Sequence, residues 1–202
     1  MITGRMSIPR SLANAKQKES GIVDAALALF LNSGYGATSM DIIARHAGVT
    51  KQTVYRYFDS KEALLEAVME KIQRDEPLPH VFGDKDIETE LSQYGRKFLS
   101  FHLTSSALGL YRMMVSEAST YNLRDIFIKQ GPKKRLAPLV RFLQIHGHGD
   151  SEFLAQMFAS MLLFPRNQHL LQGQREFPES EQQEHVMKVV RLFINGFAVN
   201  QP

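Results

Sequence analysis

Cysteine is absent from this chain of 202 residues, which removes disulfides and thiolate metal sites and agrees with a reducing cytoplasm, the expected location. The opening stretch MITGRMSIPRSLANAKQKES has no apolar core of the kind a secretory signal needs. Long hydrophobic runs are missing as well. The densest, Phe153 to Phe164, is interrupted by Gln156 and Ser160 and falls short of the roughly 20 apolar residues that cross a bilayer. No membrane partner is expected. Phosphate-cradling glycine motifs, H-E-x-x-H pairs, repeats and low-complexity tracts do not occur. No catalytic residue, cofactor or metal is therefore assigned, and the chain reads as a non-enzyme. The pair His146 and His148, in HGHG, has only Asp150 beside it and reads as a flexible loop.

Acidic residues are scarce in two places, although the net charge is only +3. Residues 42–61 carry Arg45, Lys51, Arg56 and Lys61 against Asp59 alone. The first eighteen residues carry Arg5, Arg10, Lys16 and Lys18 and no acid, and residues 1–17 read as a flexible basic arm. Local cationic surface of this kind suits a phosphate backbone, or simply a solvated face.

What is present is helical spacing. No segment alternates in the manner of a strand, so an all-α fold is expected. Ile22, Ala25, Ala26, Leu29 and Phe30 form one stripe, closed by Gly34; Met40, Ile43, Ala44 and Ala47 form a shorter one, with Thr38 or Ser39 as its cap. A third helix begins after Gly48, and a fourth holds Leu64, Leu65, Val68, Met69 and Ile72. Pro77 and Pro79 then mark a boundary between a head, 18–76, and a larger helical bundle, 77–202.

The third helix lies in GVTKQTVYRYFDSKEAL, Gly48 to Leu64. With Thr50 as N-cap, Val54 and Phe58 point inward while Gln52, Thr53 and Arg56 face solvent, edged by Lys51, Tyr55 and Tyr57. A short helix with an inward anchor and a hydrogen-bonding outer face, following a helix and a glycine turn, is a helix-turn-helix arrangement. Lys51 and Lys61 both sit in first helical turns, where the dipole disfavours cations and an incoming phosphate would reverse the sign. The fourth helix starts after Asp59 or Ser60, and Asp59 with Glu62 suits a capping pair there. Gln52 suits adenine and Lys51 or Arg56 guanine, while Thr53, Tyr55 and Tyr57 suit phosphate oxygens; the tyrosines also suit packing of head against bundle.

The run from Gly21 to Val68, with GYGATS, IARHAGV and TVYRYFDSKEALL in order and without gaps, resembles the DNA-binding head of TetR-family transcriptional regulators. That resemblance implies DNA contacts from Thr38, Ser39, Thr50, Lys51, Gln52, Thr53, Tyr55, Arg56 and Tyr57, with Lys61 in the place of a phosphate-binding lysine. The stretch LYRMMVSEASTYNLRDIFIKQGPKKRLAPLVRFLQ is similar to an AefR-like C-terminal domain, which implies effector binding and dimerisation.

The expected function is accordingly a homodimeric repressor that binds a palindromic operator in double-stranded DNA and is released by a small, apolar effector. An activator of the same fold, a helical protein-binding adaptor and an enzyme without DNA binding are the alternatives. Expected pocket residues are Tyr94, Phe98, His102, Tyr111, Met114, Glu117, Phe127, Phe142 and Met157. The expected dimer face, on two broad apolar stripes, is Phe153, Met157, Met161, Val186, Val190, Phe193 and Phe197.

Overall fold

The computed structural model describes residues 10–75, 81–130, 132–147, 149–172 and 177–198. Among these every regular element is a helix. The head comprises α1 (Arg10–Ser33), α2 (Met40–His46), α3 (Lys51–Tyr57) and α4 (Lys61–Asp75). The bundle follows as α5 (Ile87–His102), α6 (Ser105–Glu117), α7 (Arg124–Gln130), α8 (Pro132–Ile145), α9 (Ser151–Leu162), α10 (Phe164–Gln172) and α11 (Glu179–Ala198). The first helix starts at Arg10, so residues 10–17 are helical and not part of a flexible arm; residues 1–9 lie outside the described residues. His148 and both boundary prolines, Pro77 and Pro79, also lie outside them.

Local chemistry sets the helix ends. Gly34 adopts φ +87°, a left-handed conformation that glycine enters without a Cβ penalty, and it stops α1 where the stripe ends. Ser39 caps α2 by accepting from the Ile42 N–H, and Thr50 caps α3 by accepting from the Thr53 N–H at 3.2 Å. Of the two residues before α4, Ser60 is the cap, its Oγ accepting from the Ala63 N–H at 3.1 Å, and Asp59 with Glu62 does not form the capping pair. Glu62 instead accepts the Tyr35 hydroxyl at 2.8 Å.

Two apolar cores result. The first gathers Ile22, Ala26 and Phe30 of α1, Ile43 of α2, Val54 of α3 and Leu64, Leu65 and Val68 of α4. Each large aliphatic side chain so enclosed contributes about 1.5–3 kcal/mol. This core does not stop at the end of α4, because Phe101, Leu110, Met113, Met114, Leu123 and Ile126 belong to it. The second core joins α5, α8, α9 and α11 through Tyr94, Phe98, Leu139, Phe142, Phe158, Val186 and Val190. Head and bundle are therefore successive in the chain but share packing across α4, α6 and α7.

Candidate nucleic-acid interface and effector cavity

The short α3 is held by its inner face. Val54 is fully enclosed and Phe58, its C-cap, is buried, so the helix cannot turn about its axis without exposing both. Lys51, Gln52, Tyr55 and Arg56 consequently face solvent, with Ser39 exposed at the start of α2 and Thr50 exposed at the start of α3. Tyr55 is 43% exposed, so it does not pack between head and bundle. Tyr57 is half-buried against the head core, with the Arg56 guanidinium 5.2 Å from its ring. The Thr50 and Thr53 hydroxyls lie 2.9 Å apart and hydrogen-bond each other.

Two expectations, for Thr38 and Lys61, need correction here, and the charge of Lys51 proves to be paired. Thr38 is only 1% exposed and donates its hydroxyl to the Gly34 carbonyl at 2.7 Å, so it braces the turn and does not face a ligand. Lys61 does not extend towards an external anion. Its ammonium donates to the Tyr35 and Thr38 carbonyls at 2.9 and 3.0 Å and sits 4.1 Å from the Tyr35 ring centroid, and burial holds its pKa below the ordinary lysine value. Lys51 is exposed but meets Asp41 of α2 at 3.0 Å, and hydrogen bonding to that carboxylate raises its pKa. Both lysines near helix tips thus have partners within the chain, and phosphate is not needed to explain their positions.

The same turn is tied to the bundle. Glu117, the last residue of α6, accepts from the N–H groups of Tyr35 and Gly36 at 2.8 and 2.6 Å. Tyr121 meets the Tyr35 ring edge-on at 5.4 Å, and the Lys61 ammonium lies 5.5 Å from its centroid. Glu117 therefore joins head to bundle and is not a pocket residue.

Further up α6 a cavity of about 270 Å³ opens between the helices. Met69, Ile72 and Gln73 of α4 line it, with Phe101 and His102 of α5 and Leu110, Tyr111 and Met114 of α6. Ala107, Phe127, Arg135, Leu163 and Arg166 complete the wall. His102 Nδ1 donates to the Phe98 carbonyl at 2.7 Å, leaving Nε2 as the acceptor of a neutral ring. Burial pushes its pKa down from 6.5 to about 3, with Arg135 and Arg166 adding to the shift.

Comparison with known proteins matches both parts of the chain. Residues 22–68 fit the family model for bacterial regulatory proteins of the tetR family, and residues 89–199 fit that of the AefR-like transcriptional repressor C-terminal domain. The chain belongs to the TetR family. In sequence it is 41% identical over 69 residues to the HTH-type transcriptional regulator TtgW of Pseudomonas putida, a match covering 34% of this chain and 50% of that one. The chain thus spans half the length of that relative. In structure it is similar to a TetR-family transcriptional regulator from Mesorhizobium loti, with TM-score 0.76, 26% identity and coverage of 90% and 97% of the two chains. It is also similar to the flavonoid-responsive regulator FrrA, with TM-score 0.73, 27% identity and the same coverage.

Within this TetR-family bundle the cavity gathers His102, Tyr111, Met114 and Phe127 of the expected pocket residues. Tyr94, Phe98 and Phe142 instead pack inside the second core, and Met157 is 42% exposed on the outer surface. The two arginines and the α4 residues were missed, since nothing in their local sequence distinguishes a cavity wall from a solvated or core position. The expected dimer face also divides. Val186, Val190 and Phe193 are buried within the chain, and Met161 is partly buried against the second core. Phe153 and Met157 are exposed, whereas the Phe197 side chain lies outside the described residues. The exposed apolar surface of α9 to α11 includes Phe164 and Leu192, 56% and 65% exposed, which line one shallow groove with Met161 and Val189.

Proposed function

We propose that the protein is a homodimeric transcriptional repressor that binds a palindromic operator in double-stranded DNA and releases it when a small, mainly apolar effector fills the cavity. The observation that carries this reading is the outward row Lys51, Gln52, Tyr55 and Arg56 on a helix anchored from within by Val54. These side chains combine base-edge hydrogen bonding with phosphate affinity, and the row is narrow enough for the major groove. Ser39, Thr50 and Thr53 flank it at exposed or half-exposed positions. One such helix reads only a few base pairs, so two copies about 34–36 Å apart supply the rest of the affinity.

The second copy docks on the outer face of α9 to α11, where Phe153, Met157, Phe164 and Leu192 remain exposed. Across a twofold axis each patch meets its own copy. Effector binding is transmitted by α4 and α6 together. Both line the cavity, α4 starts in the head, and α6 ends in the Glu117 carboxylate that grips the Tyr35 and Gly36 turn. An effector shifts DNA affinity only as far as it prefers one arrangement of these helices over the other. The flavonoid response in the name of FrrA supports a small-molecule trigger. A repressor works beside DNA, so the cytoplasm is its place in this reading. No described helix is long and apolar enough to cross a membrane.

Selection of bound fragments from random or genomic DNA tests this reading. Enrichment of a palindrome with half-sites one helical turn apart is the expected outcome. Retention of no duplex at low salt, or equal retention of all sequences, would overturn it.

A further inference from the structure

The wall of the cavity carries an unequal balance of charge. Arg135 and Arg166 both line it, and among the described residues no aspartate or glutamate does. Arg166 is only 8% exposed, and among the described residues its partners are neutral: the Asn167 side-chain oxygen at 3.2 Å and the Tyr111 ring, 3.9 Å away. For Arg166, stacking on an aromatic face gives back less than burying a cation beside neutral groups costs. The Arg135 guanidinium stacks 3.3 Å from the Phe101 ring centroid. In both residues the ring holds the planar fork in a fixed orientation at the edge of an apolar space. Such forks match a carboxylate.

The remaining wall narrows the choice. Met69, Ile72, Leu110, Met114, Phe127 and Leu163 are apolar, so the bulk of an occupant must be apolar too. At about 270 Å³ the cavity lies just below the usual range of small-molecule sites, roughly 300–1,000 Å³. Burial and both arginines keep His102 neutral, which leaves the guanidiniums as the charged groups of the wall.

We propose that the effector is a small amphiphilic carboxylate, whose charged end pairs with Arg166 and Arg135 and whose apolar body lies along α4 and α6. This deepens the repressor reading and rests on the cavity being its effector site. The binding claim itself needs no DNA.

The test uses the full-length protein without DNA. Octanoate and 4-phenylbutyrate are titrated by calorimetry beside their uncharged counterparts, 1-octanol and 4-phenylbutanol. At least one acid is expected to bind about tenfold or more tightly than its alcohol, as charge-assisted hydrogen bonds in a dry site provide. Arg166→Met is expected to abolish that preference while the alcohol still binds, which shows that the cavity has survived; Arg166→Lys is expected to keep part of it. Equal binding of acid and alcohol, an unchanged preference in Arg166→Met, or no binding by either acid would overturn the proposal. Release of operator DNA is measured separately. An acid that binds with carboxylate preference but leaves the operator bound upholds the ligand class and counts against the repressor mechanism. A neutral compound that releases DNA while both acids fail to bind does the reverse.

Discussion

The Glu117 carboxylate holds the Gly36 N–H at 2.6 Å, fastening the end of α6 to the turn that precedes α2. A second bond, to the Tyr35 N–H at 2.8 Å, fixes the carboxylate in both directions. This attachment gives the bundle a grip on the head that does not pass through α4. Glu117→Ala is expected to lower unfolding stability by about 1.5–3 kcal/mol, the range for hydrogen bonds to a charged group, read from urea midpoints. It should also weaken coupling, so that an effector still binds but releases DNA less completely.

The space beside Gly36 is taken by the end of the Tyr121 side chain. An added Cβ would meet the Tyr121 hydroxyl, with Tyr121 Cε2 at 2.7 Å and Cζ at 2.8 Å. Gly36→Ala should therefore displace Tyr121 from the edge of Tyr35, and a loss of about 1–3 kcal/mol is expected from the forced repacking. Gly36→Ala combined with Tyr121→Ala should recover much of that loss in thermal melts. If the double variant is no more stable than the single one, the steric account is wrong.

On α3, different side chains should fail differently. Gln52→Ala is expected to cost about 1–3 kcal/mol on the operator and to relax base preference at one position. Arg56→Ala should weaken operator binding, relax preference where it pairs with guanine and, by removing a cation, also lessen the slope of log affinity against log salt. Lys61→Met should act on the head itself and lower the melting temperature without DNA, since its ammonium bridges the Tyr35 and Thr38 carbonyls. Competition binding across a salt series separates these cases.

His102 makes stability depend on pH. Its folded pKa lies near 3, depressed first by burial and then by Arg135 and Arg166, against an ordinary 6.5. As pH falls below about 6.5 the unfolded chain takes up a proton that the folded chain refuses, so stability declines until about pH 3, by at most roughly 1.4 kcal/mol per pH unit. His102→Gln is expected to flatten this decline. Urea midpoints between pH 4 and 7 would show it.

Leu192 and Val186 lie on the same helix and should respond in opposite ways. Leu192→Glu places a charge on the outer face and is expected to yield a folded monomer by light scattering. Val186→Glu buries a charge in the second core and should unfold the chain. A Leu192→Glu protein that remains dimeric would move the interface elsewhere.

Much of this architecture was legible in the residues. The stripe of Ile22, Ala25, Ala26 and Phe30 is interior, Val54 and Phe58 anchor α3, and Gly34 ends α1. These features are local: periodicity, a capping hydroxyl and a glycine at positive φ act within one or two turns, so neighbours in the chain suffice to reveal them. The outward position of Gln52 and Arg56 follows from the same arithmetic.

Tertiary structure decided what those local rules leave open. The charge of Lys61 suggested an external anion until folding supplied two carbonyls from residues 35 and 38, more than twenty positions away in the chain. Glu117 resembled a pocket acid until α6 brought it to the head, and Arg135 and Arg166 became neighbours of one cavity only because Arg135 of α8 stacks on Phe101 of α5 and Arg166 of α10 on Tyr111 of α6. The apolar stripes of α9 and α11 are wider than any single contact. Which part faces the core depends on where α5 lies, so Val186 went inward and Leu192 outward. A side chain's helix is set by its neighbours in sequence, but its partner, its solvation and hence its role are set by residues that only the fold brings near.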